Sequence, residues 1–249
     1  MRNIKAAVLE EVGLAQPYAE SQPLKIKTFE LQAPGRDEVL VNIRAAGLCH
    51  SDLSVINGSR LRPTPMVLGH EAAGVVAETG SGVDEVSPGD HVVLVFVPSC
   101  GHCVPCAEGR PALCVPGAVA NADGTLLSGN RRLHRDGHPV NHHLGVSAFA
   151  EYAVVSKHSV VKIDNDLPFD EAALFGCAVI TGVGAVLNTA QVKAGSTVAV
   201  IGLGGVGLNA LMGAKLAGAR QIVAIDLNDD KLSLAEKLGA TASCRADDP

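Results

Sequence analysis

The sequence has no tryptophan, only 2 tyrosines and 5 phenylalanines, so aromatics make up 3% of its 249 residues. A sandwich anchored on buried aromatic rings is a poor fit. The 27 glycines and the many Val and Ala residues suit strands alternating with closely packed helices. Nor is there a dense basic run: the formal charge is −6, which sets nucleic-acid binding aside. Met1–Glu10 (MRNIKAAVLE) lacks the apolar core and cleavage site of a secretory signal. No apolar segment runs long enough, free of charges and punctuation, to span a bilayer. The 7 cysteines are clustered and odd in number, which favours metal-bound thiolates in a reducing compartment over a disulfide framework. The expectation is a cytoplasmic protein with neither a nucleic-acid nor a membrane partner.

What the sequence does hold is one run with almost no rival interpretation, Ser99–Cys114 (SCGHCVPCAEGRPALC). Cys100, Cys103, Cys106 and Cys114 follow the spacing C-x2-C-x2-C-x7-C. Four thiolates that close together form a tetrahedral all-sulfur site, and zinc is the metal such closed sites usually hold. Similar knuckles occur in nucleic-acid binders, but the flanks here are apolar or acidic. Closed coordination leaves no position for substrate, so this zinc is expected to brace a loop.

Strand-like runs cover 4–9, 24–29, 38–45, 73–78, 91–97, 148–155 and 159–162, with Pro17, Pro23, Pro34-Gly35 and Pro88-Gly89 as turns. These predict a β-rich first domain over 1–168, with the metal lobe at about 99–115 and mostly loop between Cys114 and Gly145. Residues 169–187 open with Asp170 and Glu171, where a helix dipole favours negative charge, and read as a helix or a broken pair of helices.

From Gly195 the pattern changes. Thr197–Ile201 (TVAVI) is a continuous apolar run, as expected of a parallel strand buried on both faces. It leads into GLGGVG at Gly202–Gly207, an apolar helix to about Ala217, a strand at Gln221–Asp226, a helix at Lys231–Leu238 and a short strand near 240–244. A lone G-x-G-x-x-G is weak, but here a buried strand precedes it, a helix follows and an acidic residue ends the next strand. Gly202 permits the turn, Gly204 lets the backbone approach a pyrophosphate, and Gly207 lets helix and strand pack closely. Asp226 is placed to accept from adenosine-ribose hydroxyls and would repel a 2′-phosphate, which favours NAD over NADP. This is one mononucleotide-binding half of a doubly wound α/β fold.

Three further motifs stand apart: Cys49 in GLCHSD, His70-Glu71 in GHE, and Cys177 in GC-x-x-x-TG. Composition alone makes Cys177 a buried small hydrophobe, and spacing cannot join residues so distant. Together with the four-cysteine lobe and GLGGVG plus Asp226, however, the motifs resemble the zinc-dependent medium-chain alcohol dehydrogenases from the N-terminus to Pro249. The resemblance implies a GroES-like catalytic domain over 1–168, then a linking helix and partial Rossmann domain over 169–249. It implies two zinc ions per chain and NAD, with Cys49, His70 and Cys177 as catalytic zinc ligands. Ser51 matches the hydroxyl that takes the alcohol proton, Asp52 the carboxylate that orients the histidine ligand, and Glu71 the carboxylate near the metal. His50, Thr181, Gly205, Val206 and Lys231 join Gly202, Gly204, Gly207 and Asp226 as cofactor contacts, and Phe96 walls the substrate pocket. Read alone, Ser51 is also a fitting loop cap and Phe96 a core residue.

The implied reaction is oxidation of a primary or secondary alcohol to an aldehyde or ketone. The alternatives are an S-(hydroxymethyl)glutathione or polyol dehydrogenase, or a non-catalytic zinc- or nucleotide-binding fragment. Full-length relatives are expected to be homodimers or homotetramers. Two departures stand out. Ser54 occupies the place where many relatives carry a histidine at the outer end of a proton relay. The family pattern also continues past Pro249, so the sequence reads as an incomplete copy in which Thr197–Ile201 keeps one edge unpaired. Cys244 is expected to be a buried free thiol.

Overall fold

Ile4 and Ala6 alternate with Lys5, and Phe29 and Leu31 with Thr28 and Glu30, so two N-terminal strands each turn one face inward. They belong to a computed structural model in which residues 1–247 are described and two compact units divide between Gly176 and Cys177. The first unit begins with β1 (Arg2–Leu9), α1 (Tyr18–Ser21), β2 (Leu24–Leu31), β3 (Glu38–Ala46) and α2 (His50–Ile56). It continues through β4 (Met66–Val67), β5 (Ala72–Thr79), β6 (His91–Leu94), α3 (Val104–Ala107) and α4 (Val115–Asp123). It ends with β7 (Leu133–Arg135), β8 (His138–His142), β9 (Tyr152–Ser156), β10 (Val160–Lys162) and α5 (Phe169–Ala173).

Five of these strands close a barrel in the order β1-β2-β7-β8-β4, with Ile4 opposite Phe29. Its interior is a cluster that includes Phe29, Ile4, Leu31, Leu126 and Leu133, each 2% exposed or less. Each such side chain contributes about 1.5–3 kcal/mol by leaving water. The remaining strands form an open sheet, β10-β6-β5-β3-β9, over a second cluster of Val39, Val41, Val76, Val92 and Leu94. The β4–β8 pairing is parallel and sets Val67 opposite His142, which brings the chain after β8 beside the chain leading to His70.

The unit boundary lies eight residues beyond the expected 168/169 division. Ala172 and Ala173 of α5 pack on Ala73 and Val93, and the Phe169 ring sits 4.5 Å from that of His91, which ties 169–176 to the first unit. The stretch after Cys114 holds a helix, α4, where loop was expected. Its signals were available: Pro116 falls at its start, and Gly124 ends it in the left-handed region at φ 68. Two strands are shorter or shifted, β6 stopping at Leu94 and β9 starting at Tyr152.

The second unit contains α6 (Ala178–Gly184) with a π turn to Thr189, then β11 (Thr197–Ile201), α7 (Gly205–Leu216), β12 (Gln221–Asp226), α8 (Asp229–Leu238) and β13 (Ala242–Arg245). The three strands are parallel in the order β11-β12-β13. Leu211, Ala214, Ile222, Ala224, Leu232 and Ala235 form the core between sheet and helices. Contrary to expectation, β11 is not buried on both faces, Ile201 being 78% exposed; its pairing with β12 alone among the described residues agrees with the unpaired edge that was expected. Cys244 is likewise exposed rather than buried, because it lies on the other edge strand. No single helix among the described residues is long and apolar enough to cross a membrane.

Candidate active site

Cys49 caps α2. With extended backbone (φ −107, ψ 151), its sulfur accepts the backbone N–H of Asp52, while Asp52 Oδ2 accepts the Cys49 N–H at 3.1 Å. This is a capping box with a thiol where a hydroxyl usually stands. The reciprocal bond turns the Asp52 side chain inward, where the residue is 2% exposed. Its other oxygen, Oδ1, faces His70 Nδ1 at 3.1 Å. His143 Nδ1 lies 3.3 Å from the same oxygen, close but off the line of a well-formed hydrogen bond.

These contacts set the electrostatics. Burial works to raise the Asp52 carboxyl, but the His143 and His70 imidazoles outweigh it and hold the group well below the usual carboxylate range. An ionised Asp52 can only accept, so His70 carries its proton on Nδ1 and keeps the Nε2 lone pair for a metal. Burial also pushes the Cys49 thiol up, yet hydrogen bonds from Ser51 and the charge of His70 bring it below its ordinary value, towards the thiolate that binds metal. Burial lowers His143 in spite of Asp52. The Cys49 sulfur and a ring nitrogen of His70 lie within 4.8 Å of each other, close enough to share one ion through bonds of about 2.3 and 2.0 Å.

The other expected residues of the first unit fall around this pair. Phe96 presents its ring edge to His70 with centroids 5.3 Å apart, and it also packs on the second core cluster. Glu71 is 3% exposed, its side chain lying where a Cβ on Gly47 would come within 3.0 Å. Ser51 is half-buried and His50 exposed in the first turn of α2. Ser54 donates its hydroxyl proton to the His50 carbonyl at 3.0 Å. Cys177 is buried and opens the second unit as N-cap of α6. It follows directly on Gly176, which rests so close to the end of β6 that a Cβ would sit 2.2 Å from the Leu94 carbonyl oxygen.

The four sulfurs of the lobe lie within 4.8 Å of one another, and Cys103 and Cys106 are 3.4 Å apart. Zinc–sulfur bonds at tetrahedral angles require a separation of about 3.8 Å, so an all-thiolate zinc fits with small adjustment. Backbone N–H groups of Cys100 and Gly117 donate to the Cys114 sulfur, and that of Cys103 donates to the Cys100 sulfur. Nearby backbone donors at Cys106 and Val115 bring the Cys103 thiol down to about 6, whereas burial and the Cys103 neighbour push Cys106 up to about 11. One thiolate thus opposes the next, a conflict that a bound cation relieves.

In the second unit the glycine loop has the geometry its spacing predicts. Gly202 is left-handed at φ 85, and a Cβ on Gly207 would lie 1.8 Å from the Gly202 carbonyl oxygen. At Gly204, the N-cap of α7, a Cβ would meet nothing within 4 Å, which leaves room for a phosphate over the helix N-terminus. Gly205 and half-exposed Val206 form the first turn of α7. Asp226 has partners within its own unit: its Oδ2 accepts the Leu203 N–H at 2.7 Å and its Oδ1 the Asn228 N–H at 3.0 Å. The Leu203 bond is the main reason that its carboxyl is held low. Lys231 Nζ stands 3.7 Å from the same Oδ2. Thr181 is exposed on α6, one residue before Gly182, whose Cα packs against the Val206 carbonyl. The sequence reading missed His143, because a histidine pair in a polar stretch has no spacing that points to a partner at Asp52.

Residues 35–165 match the family model of the alcohol dehydrogenase GroES-like domain, and 205–248 match that of the zinc-binding dehydrogenases. The chain is 42% identical to an S-(hydroxymethyl)glutathione dehydrogenase of Paracoccus denitrificans over 95% of its own length and 62% of that relative's. A solved alcohol dehydrogenase zinc-binding domain protein from Burkholderia ambifaria superposes with a TM-score of 0.92 at 38% identity, over 100% of this chain and 65% of that one. Benzyl alcohol dehydrogenase from Acinetobacter calcoaceticus superposes with a TM-score of 0.90 at 36% identity, with the same coverage. The chain therefore spans just under two thirds of the length of these relatives. With more than half of its residues matched by the GroES-like model and a further stretch by the zinc-binding dehydrogenase model, the chain belongs to the zinc-dependent medium-chain alcohol dehydrogenase family.

Proposed function

We propose that this chain carries the zinc- and NAD-binding machinery of an alcohol dehydrogenase that oxidises a primary or secondary alcohol to an aldehyde or ketone. The observation that carries the reading is Asp52, one buried carboxylate that holds both the backbone of Cys49 and the ring of His70. Cys49, His70 and Cys177 would hold the catalytic zinc, and Cys100, Cys103, Cys106 and Cys114 the structural one. Zinc with three protein ligands supplies a Lewis acid that lowers the pKa of an alcohol hydroxyl, and NAD supplies the hydride acceptor.

The chain's own residues do the rest. Asp52 keeps His70 in the Nδ1–H tautomer, so that Nε2 keeps its lone pair free. Ser51, in the first turn of α2, receives the alcohol proton. Ser54 does not carry it further, because its hydroxyl proton is committed to the His50 carbonyl, and release to water or a ribose hydroxyl follows. Gly204 and the α7 N-terminus take the pyrophosphate, and His50 is the further phosphate contact that the family resemblance implies. Asp226 and Lys231 take the ribose, Thr181 the nicotinamide side, and Phe96 walls the alcohol.

A second reading, oxidation of S-(hydroxymethyl)glutathione, is favoured by the activity named for the Paracoccus denitrificans relative; benzyl alcohol is the substrate named for the Acinetobacter calcoaceticus enzyme. Metal analysis combined with NADH formation on benzyl alcohol, ethanol and the glutathione adduct separates these readings. Two zinc ions per chain and turnover of one of the alcohols support the proposal, and Cys49→Ala should then abolish turnover and remove one zinc. A chain with one zinc, no turnover and no thermal shift with NAD is a binding fragment instead.

A further inference from the structure

His143 belongs to none of the motifs above, yet it is 1% exposed and faces two of the site's central groups. Its Nδ1 lies 3.3 Å from Asp52 Oδ1, and its ring stands edge-on to His70 with centroids 5.4 Å apart and planes at 89°. Its position is over-determined by the chain around it. The His143 N–H donates to Ser147 Oγ at 2.9 Å, and the Ser147 hydroxyl donates to the Val67 carbonyl at 2.8 Å, on the strand that leads to His70. Ala148 N–H bonds the Gly69 carbonyl and Phe149 N–H the Leu68 carbonyl, both at 3.0 Å, so the same segment is fastened to the residues just before His70. Gly69 is left-handed, and a Cβ there would fall 2.5 Å from the Phe149 nitrogen, so only glycine permits this approach.

The turn that delivers His143 holds two non-glycine residues in the left-handed region, Leu144 at φ 53 and Ser147 at φ 54. Such conformations are unfavourable and persist only where surrounding bonds enforce them. A histidine that merely filled core space would not need the segment after it tied three times to the residues before His70, with its own ring nitrogen brought to Asp52.

We propose that His143 is a positioning residue: its ring packs against the same Asp52 oxygen that faces His70, and so fixes the direction in which His70 presents Nε2. This rests on the reading of Cys49 and His70 as zinc ligands. Asp52 is then held by the Cys49 N–H on Oδ2 and the His70 ring on Oδ1, with the His143 ring nitrogen 3.3 Å from Oδ1 restricting its swing. Groups that orient a ligand of this kind change metal affinity by about 10–100-fold when removed.

The test compares wild type, His143→Leu and His143→Gln, each loaded with cobalt(II). It follows metal release to a chelator and the ligand-field spectrum of the bound ion, with Cys49→Ala identifying which phase belongs to the Cys49 site. His143→Leu should release the Cys49-dependent ion about tenfold faster with an altered spectrum, while the lobe ion leaves at its usual rate. His143→Gln, which retains an N–H donor, should stay closer to wild type. Unchanged release and spectrum in His143→Leu overturn the proposal. So does equal acceleration in both variants with the lobe ion also lost, since that reports general unfolding. A wild-type chain that holds no Cys49-dependent ion overturns the zinc reading itself.

Discussion

Replacing Gly207 by alanine puts a methyl carbon 1.8 Å from the Gly202 carbonyl oxygen, and backbone cannot rotate away as a side chain would. The carbonyl is not free to move alone either, because the Gly202 N–H is bonded to Ile225 O at 2.8 Å. Two effects compete. In the first turn of α7, alanine is intrinsically better than glycine by about 0.8–1 kcal/mol. Forcing an extra carbon into a closed space costs about 1–3 kcal/mol, and the overlap here is deep enough to take the upper part of that range. The net loss is about 1–2 kcal/mol, confined to the second unit. At about 4–8 °C per kcal/mol for a unit of this size, that unit should melt about 5–15 °C lower. Gly204→Ala is the matched control: its backbone is extended at φ −77, ψ −172, and the added methyl meets nothing within 4 Å. It should melt within about 2 °C of wild type but lose the thermal shift that saturating NAD gives. Tyrosine fluorescence will not follow this, since Tyr18 and Tyr152 are both in the first unit; calorimetry or helical circular dichroism will. If Gly207→Ala melts like wild type, the reading of this glycine as a packing requirement is wrong.

Acid should weaken the barrel through His142. Burial, then the charges of Arg131, Arg132 and His134, push its imidazole from 6.5 down to about 3. Between those values the unfolded chain binds a proton that the folded chain refuses, so stability falls on acidification by about 1.4 kcal/mol per pH unit. His142→Gln, which keeps an acceptor for the Arg132 N–H, should flatten that slope in urea titrations across the window, and an unchanged slope would discount the histidine. Cys103→Ser should cost one zinc and loosen the lobe, read as cleavage by a glutamyl endopeptidase after exposed Glu108 at least about tenfold faster than wild type; equal cleavage rates would mean that the metal does not brace the loop. Asp226→Ser leaves the Leu203 N–H without its 2.7 Å acceptor, and should destabilise the second unit by about 1–3 kcal/mol even before cofactor preference is measured. Wild-type melting of that variant would restrict Asp226 to ribose recognition.

Local chemistry explains which features could be read in advance. The lobe cysteines were legible because ligands a few residues apart must meet wherever the chain goes. The glycine loop was legible because each glycine answers a local demand: a left-handed turn at Gly202, open space at Gly204 and close packing at Gly207. Helix α4 could have been read from Pro116 and Gly124, whereas the short α2 carries an unusual thiol cap that hides its start. The unpaired edge of β11 was expected, but burial of both its faces and of Cys244 was misjudged, because a strand's own residues do not tell what covers it.

By itself, then, the sequence determined everything that depends on neighbours along the chain: the strand and helix periods, the four-sulfur cluster, the dinucleotide turn and the motifs that carry the family. Tertiary structure alone decided that Asp52, tied locally to Cys49 by the capping box, also meets His70, that Phe96 turns its ring edge to His70, and that His143, more than seventy residues further on, closes on the same carboxylate. The physical reason is that a buried carboxylate takes its donors from whichever strands the barrel brings beside it. The parallel β4–β8 register that does so has no trace in the spacing of the residues.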